Sequence, residues 1–152
     1  MASSMNQQAS ERFLEELHVG VLSVVDRREQ AGTLAVPIWY SFDPAVGVSV
    51  ITSTQSRKGR ALDDTGRFSL TVQQEALPYK YVSVEGPVVE VRRAELERDV
   101  EPMAIRYLGP EAGSLYARQW HAAGGNDSVF VMRPQRWLAV DLTDELAALA
   151  PS

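Results

Sequence analysis

Short β-branched runs separated by turn residues dominate the hydrophobic pattern of this chain. Val19 to Val25 (VGVLSVV), Thr33 to Phe42, Val48 to Thr52 and Phe68 to Val72 each have the length and composition of a strand. Asp26 to Gln30 with Gly32, and then Asp43-Pro44 with Gly47, supply hairpin-length connections, so the first three strands form a meander. Tyr79 to Val91 reads as a long strand in which Gly86-Pro87 removes a ladder donor and loosens φ, predicting a bulge or barrel corner. Helical spacing interrupts this rhythm. Over Ser10 to Leu17, Phe13, Leu14 and Leu17 share a face, with Ser10 as N-cap, and the segment predicts a helix plugging one end of a sheet. Arg57 to Asp64 predicts a short helix stopped by Gly66. Ala94 to Ala123 predicts about two or three helices, broken at Pro102 and at Gly109-Pro110. Gly124 to Asp127 then turns the chain into a last strand over Ser128 to Asp141, and Leu146 to Ser152 reads as a loose tail. Meandering strands with few helices predict a mainly β fold, an antiparallel barrel with short helices at its rim. One domain is expected over residues 1–152, with its core at about 13–141.

Composition narrows the function classes. The chain has 152 residues, 45% hydrophobic and 23% charged, enough for one buried core. Fifteen basic residues against twenty acidic ones give a net charge of −5, the wrong sign for nucleic acid or an anionic membrane surface as main partner. The absence of cysteine excludes disulfides, thiolate metal sites and cysteine nucleophiles. No run approaches a membrane span and the polar stretch Met1 to Ser10 has no signal-peptide pattern, so a cytoplasmic location is expected. His18 and His121 lack any further ligand at metal-binding spacing, and no nucleophile elbow is present, so neither a metal site nor hydrolase chemistry is expected.

The candidate chemistry is concentrated in Thr52-Ser53-Thr54-Gln55-Ser56-Arg57-Lys58-Gly59-Arg60. Hydroxyls, three basic side chains and a helix start coincide there, and together they suit a bound phosphate. The alternative is a solvated helix face whose cations pair with Asp63 and Asp64. Lys58 and Lys80 are the two lysines, against thirteen arginines, so a local basic cluster in this acidic chain calls for a reason. In Val36-Pro37-Ile38-Trp39-Tyr40, a proline inside a strand marks an edge, a bulge or a place where a ligand approaches the backbone. Trp39 and Tyr40 face opposite sides, one packing in the core and the other serving as surface or as a flat wall for a ring. Tyr79 and Tyr81 point the same way about Lys80, as a dimer seam, an aromatic shelf or plain surface.

These residues, in this order, resemble the flavin- and deazaflavin-binding split β-barrel superfamily that includes pyridoxamine 5'-phosphate oxidase. The resemblance covers about Phe13 to Asp141. It is carried by VPIWYSF, VSVITSTQSRKGRAL, RFSLTVQ and PYKYVSVEGPVVEV, and Pro37-Ile38-Trp39-Tyr40, Ser56-Arg57-Lys58 and Tyr79-Lys80-Tyr81-Val82 are most similar to the branch using the deazaflavin coenzyme F420. It implies an antiparallel split β-barrel, a homodimer with a cofactor in each interface cleft, and hydride transfer to an unsaturated small organic substrate. FMN is the alternative cofactor, and a carrier without turnover the alternative role. Carried over, Arg57 and Lys58 hold the cofactor phosphate, Thr52 and Ser53 line its ribityl or ring portion, and Pro37, Ile38 and Trp39 lie along the ring. Tyr79 or Tyr81 of the neighbouring subunit completes the pocket, and Tyr40 or solvent supplies a proton. One departure is informative: the R-x-x-x-x-K pattern with which pyridoxamine phosphate oxidases hold FMN is replaced by the apolar VPIWYSF, which argues against oxidation of pyridoxine phosphate. Gly59 and Gly66 are expected to weaken the phosphate helix.

Overall fold

The computed structural model describes residues 3–28 and 32–151. Among the described residues, nine strands form a single antiparallel sheet: β1 (Ser3–Ser4), β2 (Gly20–Val25), β3 (Thr33–Ile38), β4 (Tyr40–Asp43), β5 (Gly47–Thr52), β6 (Arg67–Gln74), β7 (Lys80–Arg93), β8 (Ser128–Met132) and β9 (Arg136–Asp141). The helices are α1 (Gln7–Glu15), α2 (Arg57–Thr65), α3 (Glu101–Leu108), α4 (Pro110–Ala122) and α5 (Thr143–Ala147), and a π-helical turn, Leu96–Val100, leads into α3. Part of the turn expected after Asp26 lies outside the described residues.

The hydrogen-bonded path runs β3-β2-β6-β7-β8-β5-β4. Its two ends, β3 and β4, are consecutive in the chain and separated by Trp39 alone, so the sheet curls into a barrel whose seam is one residue wide. The barrel is split along β7. The first half of β7 (Lys80 to Glu85) pairs with β9 and the second half (Val88 to Arg93) with β8, while β6 lies along its other edge. The fold is therefore an antiparallel split β-barrel with short helices at its rim.

Several expected elements are reshaped by this closure. The single strand Thr33 to Phe42 breaks at Trp39, and the single strand Ser128 to Asp141 breaks at Arg133 to Gln135. The second break follows from Gly86: a Cβ there would stand 1.9 Å from the Arg133 carbonyl oxygen, so the chain crosses β7 in contact with bare backbone. The Arg133 and Gln135 amides donate to the carbonyls of Pro87 and Glu85 as they cross. The bulge itself falls just beyond Gly86-Pro87, where the register shifts between Val88 and Glu90. Helix α1 starts earlier than expected because Asn6, not Ser10, is its N-cap; the Asn6 side chain accepts from the Ala9 amide at 2.8 Å. Ser10 is instead buried within the helix, its hydroxyl donating back to the Asn6 carbonyl. Part of the expected loose tail is helical, in α5.

Two apolar layers result. The barrel interior is filled by Leu22, Val24, Tyr40, Val48, Val50, Leu70, Val82, Val84, Phe130 and Met132, with Phe13 and Leu14 of α1 entering the same cluster. Outside it, Val129 and Val131 of β8 pack with Ala94, Val100 and Ala117, and Ile51 and Trp120 adjoin them. Burying that second layer fixes α3 and α4 over the outer face of β5 and β8, close to the Trp39 seam.

Candidate functional site

A cleft of about 410 Å³ lies between the Trp39 seam and the helical layer. Val19, Pro37, Ile38 and Trp39 form one wall and Val100, Met103, Ala104, Tyr116 and Trp120 the other, with Ile51, Lys58 and Asp127 between them. The volume is that of an ordinary small-molecule site, and the walls are mostly apolar with few polar groups, as such sites are.

The seam is held from the helical side by Tyr107. Breaking the strand at Trp39 takes the Tyr40 amide out of a regular ladder, and the Tyr107 hydroxyl accepts from it at 3.1 Å while donating to the His18 carbonyl at 2.6 Å. The Tyr107 ring stacks on Trp39, with centroids 5.0 Å apart and planes 6° apart, and Tyr116 packs on the same indole at 5.6 Å. Arg106 braces the arrangement: its guanidinium lies over the Tyr40 and Tyr107 rings and donates to the Glu16 carbonyl at the end of α1. On the opposite wall the Trp120 indole donates to Asp127 at 2.9 Å, and Gly125 sits where a Cβ would meet that ring at 2.2 Å. None of Tyr107, Trp120 or Asp127 was singled out by the sequence.

The polar end of the cleft is the start of α2. Ser56 is the N-cap, accepting from the Gly59 amide at 3.1 Å, and Thr52 Oγ1 lies 3.2 Å from Ser56 Oγ. The Ser53 carbonyl accepts both the amide and the hydroxyl of Ser56, and the Ser53 hydroxyl accepts from the Gln55 amide. Gly59 permits this close turn. A Cβ there would stand 1.9 Å from the Ser53 carbonyl oxygen, so the glycine expected to weaken the helix is what lets α2 seat against residues 53–54. Gly66 likewise weakens nothing: it lies past the helix, at φ 65°, as its left-handed C-cap.

Pro37, Ile38, Trp39 and Lys58 thus meet in one cleft. Thr52, buried at the end of β5, and Ser53, half-buried in the turn, do not line it. Arg57 turns elsewhere, its Nε donating to Asp26 Oδ2 at 2.8 Å. That bond, first, and the Arg28 amide bonding the same carboxylate hold Asp26 below the usual aspartate range against the opposing effect of burial. The cations of this helix are not paired with Asp63 and Asp64 as the bland alternative has it, although Asp64 lies 3.5 Å from Arg27. Tyr79, just before β7, and Tyr81, within it, do not line the cleft of their own chain; Tyr79 is exposed and Tyr81 half-buried. Tyr40 is not placed to give up a proton. It is fully buried in the barrel, its hydroxyl donates to the Leu14 carbonyl at 2.7 Å, and burial pushes its ionisation far above the usual tyrosine range. No group of three or more metal-ligating side chains occurs among the described residues, and no helix among them is long and apolar enough to cross a membrane.

Comparison with known proteins agrees with this architecture. A solved structure named as an F420 reductase superimposes with a TM-score of 0.66 at 20% identity, over 84% of this chain and 94% of that one. A conserved hypothetical protein from Mycobacterium tuberculosis gives 0.70 at 18% identity, over 97% and 90%. An FAD-binding protein from Mesorhizobium loti gives 0.62 at 14% identity, over 93% and 96%. No curated protein matches the sequence. The family model for pyridoxamine 5'-phosphate oxidase matches residues 7–141, from the start of α1 to the end of β9, and the chain belongs to that family.

Proposed function

We propose that the protein is an F420-dependent oxidoreductase that transfers hydride to an unsaturated small organic molecule. The observation that carries this reading is the cleft itself, in which a flat wall from Pro37 to Trp39 runs to a single lysine at the capped start of a helix. A planar ring with a phosphate-bearing chain fits that arrangement. The fold likeness to a protein named as an F420 reductase supports the choice of coenzyme. So does the apolar β3, which offers no arginine-lysine pair to a flavin phosphate.

When bound, a deazaflavin supplies hydride at its ring carbon C5. The chain's own residues supply placement. Trp39, clamped by Tyr107 and Tyr116, gives the ring a rigid face; Met103, Ala104 and Val100 exclude water from the opposite side; Lys58 and the α2 amides hold the phosphate. Lys58, Tyr116 and Asp127 are the titratable residues lining the cleft among those described. With Asp127 engaged by Trp120, solvent is the proton source this reading assigns.

The reading includes a homodimer. The outer face of the half-barrel carries a cross-strand row running Pro37, Val21, Thr71, Ser83, Leu138, in which Val21 and Leu138 are exposed. Pro37 and Val19 belong both to this exposed face and to the cleft wall. A second copy seated on the face would therefore close the cleft, and its Tyr79 or Tyr81 is the side chain proposed to complete it. The FMN-dependent reading stands second, supported by the likeness to an FAD-binding protein.

Titration of the purified protein with F420 and with FMN tests the choice. Submicromolar F420 binding with bleaching at 420 nm on addition of an unsaturated acceptor is expected. FMN binding with no measurable F420 affinity refutes it, and tight F420 binding with no turnover across an acceptor panel makes the protein a carrier.

A further inference from the structure

A second cleft, of about 300 Å³, adjoins the first beneath the Leu96–Val100 turn and α3, and Ile51 and Met103 line both. Its walls are of a different kind. Arg92, Arg98 and Arg106 converge on it, together with the hydroxyl side chains of Ser41 and Ser49, which are direct cross-strand partners in β4 and β5.

Charge is unevenly satisfied there. Arg92 is matched, its guanidinium forking onto Asp99 at 2.6 and 2.7 Å with Glu90 at 3.2 Å. Arg98 and Arg106 have no carboxylate within 4.0 Å among the described residues. Arg106 spends its terminal nitrogens on the carbonyls of Glu15 and Glu16, and its buried Nε has no partner. The hydroxyls of Ser41 and Ser49 have no hydrogen-bond partner among the described residues. In a chain of net charge −5, a cleft lined by three guanidinium groups and one carboxylate, with the exposed Arg98 making no close ion pair and two hydroxyls unpartnered, favours an anion. Asp99 also borders the cleft, so a dianionic phosphate is disfavoured over a planar monoanion that the Arg98 guanidinium can fork, while Arg106, its terminal nitrogens held by the Glu15 and Glu16 carbonyls, contributes charge alone.

We propose that this second cleft binds the carboxylate of an organic acid whose apolar body lies across Ile51 and Met103 into the first cleft. The carboxylate site stands on its own geometry. Its further consequence, that the reducible substrate is an unsaturated carboxylic acid, rests on the function proposed above. The arginine-lined cleft then fixes the acid end, and the shared wall aims the double bond at the ring-binding face.

The probes are trans-cinnamate and its neutral amide, titrated calorimetrically into the full-length protein without cofactor at low salt. Cinnamate is expected to bind roughly tenfold or more tightly than the amide, and Arg98→Ala to remove that preference while leaving amide binding and F420 or FMN binding unchanged. Ser41→Ala with Ser49→Ala is expected to lower cinnamate affinity by a smaller factor. Equal affinity for acid and amide, failure of both to bind, or a preference that survives Arg98→Ala overturns the proposal. Inorganic phosphate binding at this site more tightly than cinnamate, or loss of cofactor affinity in Arg98→Ala by the same factor as cinnamate, overturns it as well. If neither cofactor binds while the acid preference persists and falls with Arg98→Ala, the oxidoreductase reading fails and the carboxylate site stands.

Discussion

Replacing Gly59 by alanine sets two effects of known sign against each other. In a helix interior, alanine is favoured over glycine by about 1 kcal/mol, so propensity alone makes Gly59→Ala stabilising. The structure opposes this. The new Cβ would lie 1.9 Å from the Ser53 carbonyl oxygen, 2.9 Å from its carbon and 3.0 Å from Thr54 Cα, against the 3.4 Å at which ordinary contact begins. All three atoms are backbone, so no side chain can swing aside. Either α2 retreats or the turn at residues 53–54 does, and overpacking of this kind costs about 1–3 kcal/mol. Retreat also loosens the Ser56 cap, whose hydroxyl bridges the Ser53 carbonyl at 2.7 Å and the Gly59 amide at 3.1 Å, a loss of about 1 kcal/mol. The balance is a net loss of about 1–3 kcal/mol, read as a lowered urea midpoint with unchanged m-value. Because Lys58 is the adjacent residue, F420 or FMN affinity should fall in the same variant. A Gly59→Ala protein as stable as wild type or more so, with unchanged affinity, would refute the seating of α2 on that turn.

Other perturbations test separate contacts. Tyr107→Phe keeps the ring on Trp39 but removes the acceptor for the Tyr40 amide and the donor to the His18 carbonyl, and should cost about 1–3 kcal/mol in urea unfolding; an unchanged midpoint shows that the phenol does not hold the seam. Asp26 is held below the ordinary aspartate value in the folded state, so its contribution is full above about pH 5 and fades as pH falls through about 4 toward the lower folded value. The stability gap between wild type and Asp26→Asn should therefore be constant at neutral pH and shrink in acid, and a gap that widens in acid contradicts the sign. Leu138→Asp places a charge in the exposed row on β9 and should leave a folded monomer by sedimentation; a dimer that survives it lies elsewhere.

The barrel was legible because its strands obey local rules, with β-branched runs between Gly, Pro and Asp turns, and because Ser56 before a run of helix formers is a cap wherever it occurs. The ends of elements were less so. Asn6 and Ser10 are equally good caps in isolation, and the choice fell to the helix that buries Ser10 and keeps Phe13 and Leu14 in the barrel. The break at Trp39 has no local signature. It exists because β3 and β4 belong to opposite ends of the sheet, and it is held by a tyrosine hydroxyl 67 residues away. Tyr107, Trp120 and Asp127 carry no local signal for the same reason: their partners are supplied by how α3 and α4 fold back over β5 and β8, which no spacing encodes. Even Gly59 was misread, since helix propensity counts the residue's freedom and omits the backbone it touches.

Arg57 and Lys58, adjacent in sequence, carry one expected role but different surroundings. Consecutive helical residues point about 100° apart, so the two approach a shared anion from different directions. Arg57 reaches back to a carboxylate that is only 4% exposed, at the end of β2, and ties α2 to the barrel, while Lys58 faces the cleft. The two single substitutions should then differ in kind. Lys58→Ala should weaken F420 or FMN binding, reduce the salt dependence of what remains, and leave the thermal midpoint unchanged. Arg57→Ala leaves the Asp26 carboxylate without its ion-pair partner and should lower the midpoint more than the affinity, with Asp26→Asn restoring part of the loss in the double variant. If Arg57→Ala instead abolishes binding with no change in stability, both cations belong to the phosphate site and the Asp26 pair is incidental to the fold.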